Sequence, residues 1–248
     1  MEAAEKTDNR IHGGERNRIG WNTANRIVTL ANDGYHERWR MIPNEPKKFE
    51  KQNPFLLRRD KVVLTSFVTL EEFYIRTSRH DSSYKSMLEE LRIDYHGALE
   101  NSKCQTWLKG DGAAVWFNQT WQRCVVCTPV QDSVCSVDVF LIDVGATVTV
   151  TKDQLVPLCG YYHQIAPFAI CCSIGRFDIS SGKRSEFVHM CKQVTERLME
   201  ADMPWLDVEI LDKIWDGQDK FKVRLTYFRS RQLCIPDCFV QGNLIRLK

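Results

Sequence analysis

The chain has 248 residues and a mass of 28.9 kDa, with 43% hydrophobic, 27% charged and 10% aromatic side chains. That apolar share supports a packed core in one large domain or two small ones, and it excludes a collagen, a coiled-coil rod and a wholly disordered chain. Thirty-four Lys and Arg against 32 Asp and Glu leave a net charge of +2, so no global field selects a nucleic acid or a membrane.

Residues 1–20 are polar and rich in Gly, Asn and Arg, without the apolar stretch of a secretory signal, and read as a loosely held arm. Two short runs, 26–30 and 37–42, flank Asn32-Asp33-Gly34, a hairpin turn signal. A hairpin over 26–42, docked through Trp21, Trp39 and Phe49, fits this pattern; a flexible leader with scattered aromatics fits it equally. Pro43, Pro46 and Pro54 read as a linker, so residues 1–60 form a polar leader and 61–248 the main module.

Residues 61–68 and 72–77 are β-type runs joined by a brief turn. Tyr84, Met87, Leu88, Leu91 and Tyr95 then recur at helical spacing, with Asp81 or Ser82 as the expected N-cap. After Gly110-Asp111-Gly112 comes a dense meander with strands near 113–117, 121–128, 136–143 and 147–150. So many short strands predict a small barrel, whose closure removes the edges. A turn at 155–158 and a strand at 166–173 follow. A helix over 185–200 carries Phe187, Cys191, Val194 and Leu198 on one face. Strands at 205–211 and 221–227, with short runs at 233–239 and 244–247, complete the chain. The elements on either side of the meander are each too few for a core, but together they complete a second barrel around it.

Ten cysteines call for an explanation. No run approaches the length of a membrane span, so the chain reads as intracellular, where thiols stay reduced and a disulfide framework is not expected. Cys124 and Cys127 have zinc-like spacing, but on a strand i and i+3 face opposite sides. Cys171, Cys172, Cys191, Cys234 and Cys238 sit in apolar surroundings, as small core fillers. No metal or cofactor is expected.

The order β-β-helix, small barrel, β-helix-β-β resembles the extended Tudor module over about 190 residues. The run from Val63 to Ile75 is similar to that family's opening strand pair. Gly110, Phe117, Trp121-Gln122-Arg123, the run from Val139 to Gly145, and Leu155-Val156-Pro157-Leu158 follow the Tudor core in order. The resemblance implies a mainly β fold with α elements (α+β): an SH3-like Tudor barrel, about 108–158, embedded in a split staphylococcal-nuclease-like, OB-type barrel. The halves of that outer barrel are about 61–107 and 159–248, with two helices.

Methylarginine-reading members of the family carry four aromatic side chains and an Asn. Their rings attract the cation by cation–π interaction. Carried over residue by residue, the resemblance keeps only Phe117. Gln122, Leu141 and Val144 stand at the other aromatic positions, and Ala146 stands at that of the Asn. Each lost ring face removes ~0.5–2 kcal/mol, so the expectation is a module with weak or no dependence on arginine methylation. Trp116 is an extra aromatic beside Phe117, but alternation on a strand turns it to the opposite side. Asp143, at the strand end, is placed either to take a bidentate pair from an unmodified Arg or to tie down the adjacent turn.

The resemblance implies a non-catalytic adaptor for an extended Arg-containing peptide: the tail of a PIWI-type Argonaute, or another Tudor-family protein. It implies work in the piRNA pathway, in cytoplasm and germ granules. Two alternatives carry less. A nuclease needs clustered carboxylates, whereas Asp207, Glu209, Asp212 and Asp216 are scattered. Single-stranded RNA binding needs basic and aromatic residues interleaved; Arg224, Tyr227, Arg229 and Arg231 are the best such stretch, which also reads as a charged edge strand.

Overall fold

A computed structural model describes residues 42–43, 45–49, 56–101, 106–129, 135–200, 205–215, 219–227 and 239–247. The hairpin expected over 26–42 lies, apart from Ile42, outside them. In chain order the strands begin with β1 (Lys47–Lys48), β2 (Arg59–Thr69) and β3 (Glu72–Thr77), followed by helices α1 (Ser78–Asp94) and α2 (Ala98–Asn101). The meander is β4 (Asp111–Phe117), β5 (Thr120–Val126), β6 (Ser136–Leu141), β7 (Ala146–Thr151) and β8 (Leu155–Pro157). Helix α3 (Gly160–His163), β9 (Ile170–Ser173), β10 (Phe177–Ile179), α4 (Arg184–Glu200), β11 (Leu206–Trp215), β12 (Asp219–Tyr227) and β13 (Ile245–Leu247) complete the order.

The split halves close on each other. Strands β11, β12, β9, β3 and β2 form a closed barrel, in which β12 and β9 run parallel and the other pairs antiparallel. Alternation explains its interior: Val62 and Leu64 on β2, Phe73 and Ile75 on β3, and Val208, Val223 and Leu225 from the far half share one core. Phe187 of α4 caps that core. The strands β10 and β13 pair with each other, Ile179 opposite Ile245. The run expected at 233–239 lies outside the described residues up to 238.

The inserted sheet runs β1-β4-β5-β6-β7, with β8 returning to pair with β4. Residues 155–158, expected as a turn, supply that closing strand: Ala113 pairs with Pro157 and Val115 with Leu155. Proline is tolerated there because it sits at the strand's end. Ala113, Val115, Cys124, Val126, Val137, Val139 and Leu141 fill the inside of this sheet. Ala114, Trp121 and Val156 face outward against Met87, Leu91 and Tyr95 of the α1 region. The Tyr95 hydroxyl donates to the Pro157 carbonyl (3.1 Å) and accepts from the Cys159 N–H (2.8 Å), which fixes the helix end on the sheet.

Two details depart from expectation. Helix α1 is capped not at Asp81 or Ser82 but at Thr77, whose backbone is still extended as it leaves β3 and whose side chain makes no capping bond. Asp81 instead lies in the first turn, paired with Lys85. Second, part of the proline-bearing stretch read as linker lies on the module: β1 extends the sheet, and Phe49, with Ile42 ahead of it, packs against the α1–sheet cluster.

The outer barrel meets the inserted sheet at Gly145. This glycine has φ +80°, and a Cβ there would lie 2.0 Å from the Tyr74 ring. Tyr74 also packs on Phe140, their centroids 5.6 Å apart. Gly145→Ala is expected to lower the unfolding free energy by about 2–5 kcal/mol, combining ring overlap with a left-handed backbone. In urea denaturation, adding Tyr74→Ala relieves the overlap, so the double variant loses less than the sum of the singles. Simple additivity would contradict this contact.

Candidate functional site

Strand β4 ends at Phe117, and a tight turn over Asn118 (φ 48°) and Gln119 (φ 62°) brings the chain back as β5. Two successive positive φ values match the hairpin twist of a type I′ turn. Phe117 and Val144 are half-buried against the inner cluster, whereas Leu141 is 2% exposed and belongs to its core. Leu141 therefore fills the barrel and does not line its mouth. Ala146 opens β7 opposite Leu141.

Gln122 shares the inward parity of Cys124 and Val126, which places its amide at the mouth. The single hydroxyl proton of Thr120 goes to the Phe117 carbonyl (3.1 Å). Thr120 Oγ1 therefore accepts from Gln122 Nε2 (3.3 Å), and this fixes the amide's orientation. Gln122 Oε1 is left buried without a hydrogen-bond partner among the described residues. A buried acceptor left unmade costs about 1–3 kcal/mol. A ligand N–H reaching the mouth recovers it.

Asp143 is not available to a ligand. It is 2% exposed and held bidentately by Arg123: Nη2 to Oδ1 at 2.6 Å, Nε to Oδ2 at 2.9 Å. The Phe168 N–H donates to the same carboxylate (3.0 Å). Neither a peptide Arg nor the adjacent turn is its partner, contrary to both readings from sequence. Arg123 is itself fully buried and also donates to the carbonyls of Tyr162 (2.8 Å), Ile165 (2.6 Å) and Ala166 (3.2 Å). The pair thus ties the inserted sheet to the segment that leads back into the outer barrel.

Trp116 faces outward as alternation requires, and stacks edge-on against Trp121 (5.6 Å) within the α1–sheet cluster. It does not complete a cage. The contact between barrels continues through residues that the sequence placed on the helix but not at a site, joined by Arg76 and Phe168. The Arg76 guanidinium lies 4.0 Å from the Tyr84 ring centroid and pairs with Asp81 (3.3 Å), and Tyr84 packs edge-on against Phe168 (5.6 Å). The alternation of Phe73 and Ile75 inward already turned Tyr74 and Arg76 toward the inserted sheet.

Of the basic–aromatic stretch, Arg224 is exposed and 3.5 Å from Glu209, which also pairs with Arg59 (2.9 Å). The side chain of Tyr227, and all of Arg229 and Arg231, lie outside the described residues. Asp207 and Asp212 lie on β11 with Glu209, while Asp216 is not among the described residues. No group of three His, Cys, Asp or Glu among the described residues is placed to hold a metal. Burial pushes the thiols of Cys124 and Cys172 well above their ordinary range, as befits core fillers. No described helix is long and apolar enough to cross a membrane.

A curled sheet nested in a split closed barrel, with its mouth beside the junction, defines an extended Tudor module. Residues 58–176 match the family model of the Tudor domain, and the fold is similar to that of extended Tudor domains. The human TDRD1 extended Tudor domain, solved with a symmetrically dimethylated peptide, superposes with a TM-score of 0.63 at 15% identity, covering 85% of this chain and 98% of that one. That of Drosophila melanogaster Tudor-SN gives 0.63 at 16%, covering 77% and 85%. A variant of the Drosophila melanogaster Papi domain, solved with a Piwi N-terminal peptide bearing unmethylated arginine, gives 0.62 at 14%, covering 77% and 99%. No curated protein sequence matches the chain.

Removing one partner of the buried pair leaves an uncompensated charge, so Asp143→Ala is expected to cost about 3–5 kcal/mol in chemical denaturation. Stability equal to wild type would show that the pair is not buried. The Asp81 carboxyl is held below its ordinary 3.8, chiefly by a hydrogen bond from Lys85 with Arg76 adding to it, against desolvation. Because its pKa is depressed by folding, the stability it supplies is present above 3.8 and lost as pH falls through the folded value. The stability gap between wild type and Asp81→Asn, measured by urea titration, should therefore shrink on acidification below 3.8; a pH-independent gap would contradict the pairing.

Proposed function

We infer that this chain is a non-catalytic adaptor that binds an extended Arg-containing peptide at the barrel mouth, with weak or no dependence on arginine methylation. The observation that carries this reading is the mouth itself: one ring, Phe117, beside a buried amide oxygen that lacks a donor. A guanidinium supplies that donor, and its aliphatic stem fits against Phe117 and Val144. Methyl groups gain little, because three of the four ring faces that would attract them are replaced by Gln122, Leu141 and Val144.

Similar folds support the ligand class. The TDRD1 domain was solved with a dimethylated peptide, and the Papi variant with both unmethylated and symmetrically dimethylated Piwi peptides. By that analogy the partner is the tail of a PIWI-type Argonaute or another Tudor-family protein, and the place of work is the cytoplasm and germ granules of the piRNA pathway. The RNA-binding alternative draws no support from Arg224, whose charge is shared with Glu209.

Titration of an unmodified Arg-Gly or Arg-Ala peptide tests the reading. A hydrogen bond to a charged group contributes ~1.5–3 kcal/mol, so Gln122→Ala is expected to weaken binding about tenfold or more, and Phe117→Ala to weaken it as well. Absence of binding to wild type, or equal binding by both variants, would contradict the proposal.

A further inference from the structure

The end of the inserted sheet away from the mouth is also occupied, by the chain itself. Lys47 pairs with Gly112 and Lys48 with Asp111 at the start of β4, and the Phe49 N–H donates to the Gly110 carbonyl (3.0 Å). Lys48 Nζ lies 3.1 Å from Asp111 Oδ1 and also donates to the Lys109 carbonyl. The Asp111 side chain is only 6% exposed, and its other oxygen accepts from the Leu108 N–H (2.7 Å). A nearly buried carboxylate thus takes its counter-charge from the arriving strand.

Phe49 rests beside His163, their ring centroids 5.8 Å apart. His163 can lie there because residue 112 is glycine: a Cβ on it would come within 2.5 Å of the imidazole. The arrangement has the parts of a strand-addition site: backbone pairing on a sheet edge, an acid for a lysine and an aromatic shelf for the following residue. It is separated from Phe117 by five to six residues of β4, about 16–20 Å.

We propose that the barrel end formed by Lys109–Gly112 and His163 is a second peptide-binding site. It takes an extended strand with a lysine followed by an aromatic residue, and residues 47–49 fill it in cis. The strap makes only two residue pairs, and the Lys48 side chain is 59% exposed. Its hold comes largely from being joined in sequence to the outer barrel, whose core begins at Leu56 seven residues after Phe49, and so short a covalent connection gives it a millimolar effective concentration. A partner strand of the same chemistry competes for the site, and does so independently of what the mouth binds.

The test uses the full chain and a fluorescein-labelled peptide of residues 42–49, followed by fluorescence anisotropy. Lys48→Glu with Phe49→Ala releases the strap and is expected to bind the free peptide at least tenfold tighter than wild type. Adding Asp111→Asn, which keeps an acceptor for the Leu108 N–H, returns binding to the wild-type level. Where circular dichroism shows the double variant unfolded, Lys48→Glu alone replaces it, with a gain of about threefold expected. Equal binding by the release variant and wild type, or indifference to Asp111→Asn, overturns the proposal. So does displacement of the labelled peptide by saturating unmodified arginine peptide, which would place both ligands in one site.

Discussion

Everything near the mouth depends on the buried ion pair of Arg123 and Asp143. Two charges leave water there, and this is tolerable only because six hydrogen bonds satisfy them: two with each other, three from Arg123 to carbonyls, and one from the Phe168 N–H to the carboxylate. The carbonyls belong to residues 162–166, where the chain leaves the inserted sheet for the outer barrel. A single guanidinium thereby sets how one barrel is held within the other. The Tyr74 ring over Gly145 and the Arg76–Tyr84–Phe168 stack extend the same junction.

That constraint decides what the site has to work with. Asp143 is engaged in holding the architecture together, and Leu141 lies in the core. What the proposed site offers a ligand is a ring, a valine, an alanine and an amide whose oxygen lacks a donor among the described residues. Such a surface rewards N–H groups and an aliphatic stem more than methylated charge. At the other end of β4 the chemistry reverses, because Asp111 is a nearly buried acid that takes its cation from Lys48 on the neighbouring strand β1.

Much of the fold was legible because its driving pattern is local. Val62, Leu64, Phe73 and Ile75 alternate, and Met87, Leu91 and Tyr95 keep helical spacing, so the elements and the nesting of the barrels followed. Boundaries slipped where tertiary contacts override the pattern: β8 is three residues ending in proline, and β1 is two lysines with no apolar signal at all. The helix start moved to Thr77 because β3 runs directly into it. The site was half legible. The residue types carried over to the cage positions could be read from the sequence alone, but Asp143's partner lies twenty residues away, and nothing local chooses it. Leu141 could have been placed in the core from Val139 and Val137, two and four residues before it.

The central claim is that this mouth reads arginine without reading its methylation. Isothermal titration of one Arg-Gly peptide, unmodified and symmetrically dimethylated, measures it directly. The account predicts affinities within about threefold of each other; a preference of tenfold or more for the methylated peptide, ~1.4 kcal/mol, would contradict it.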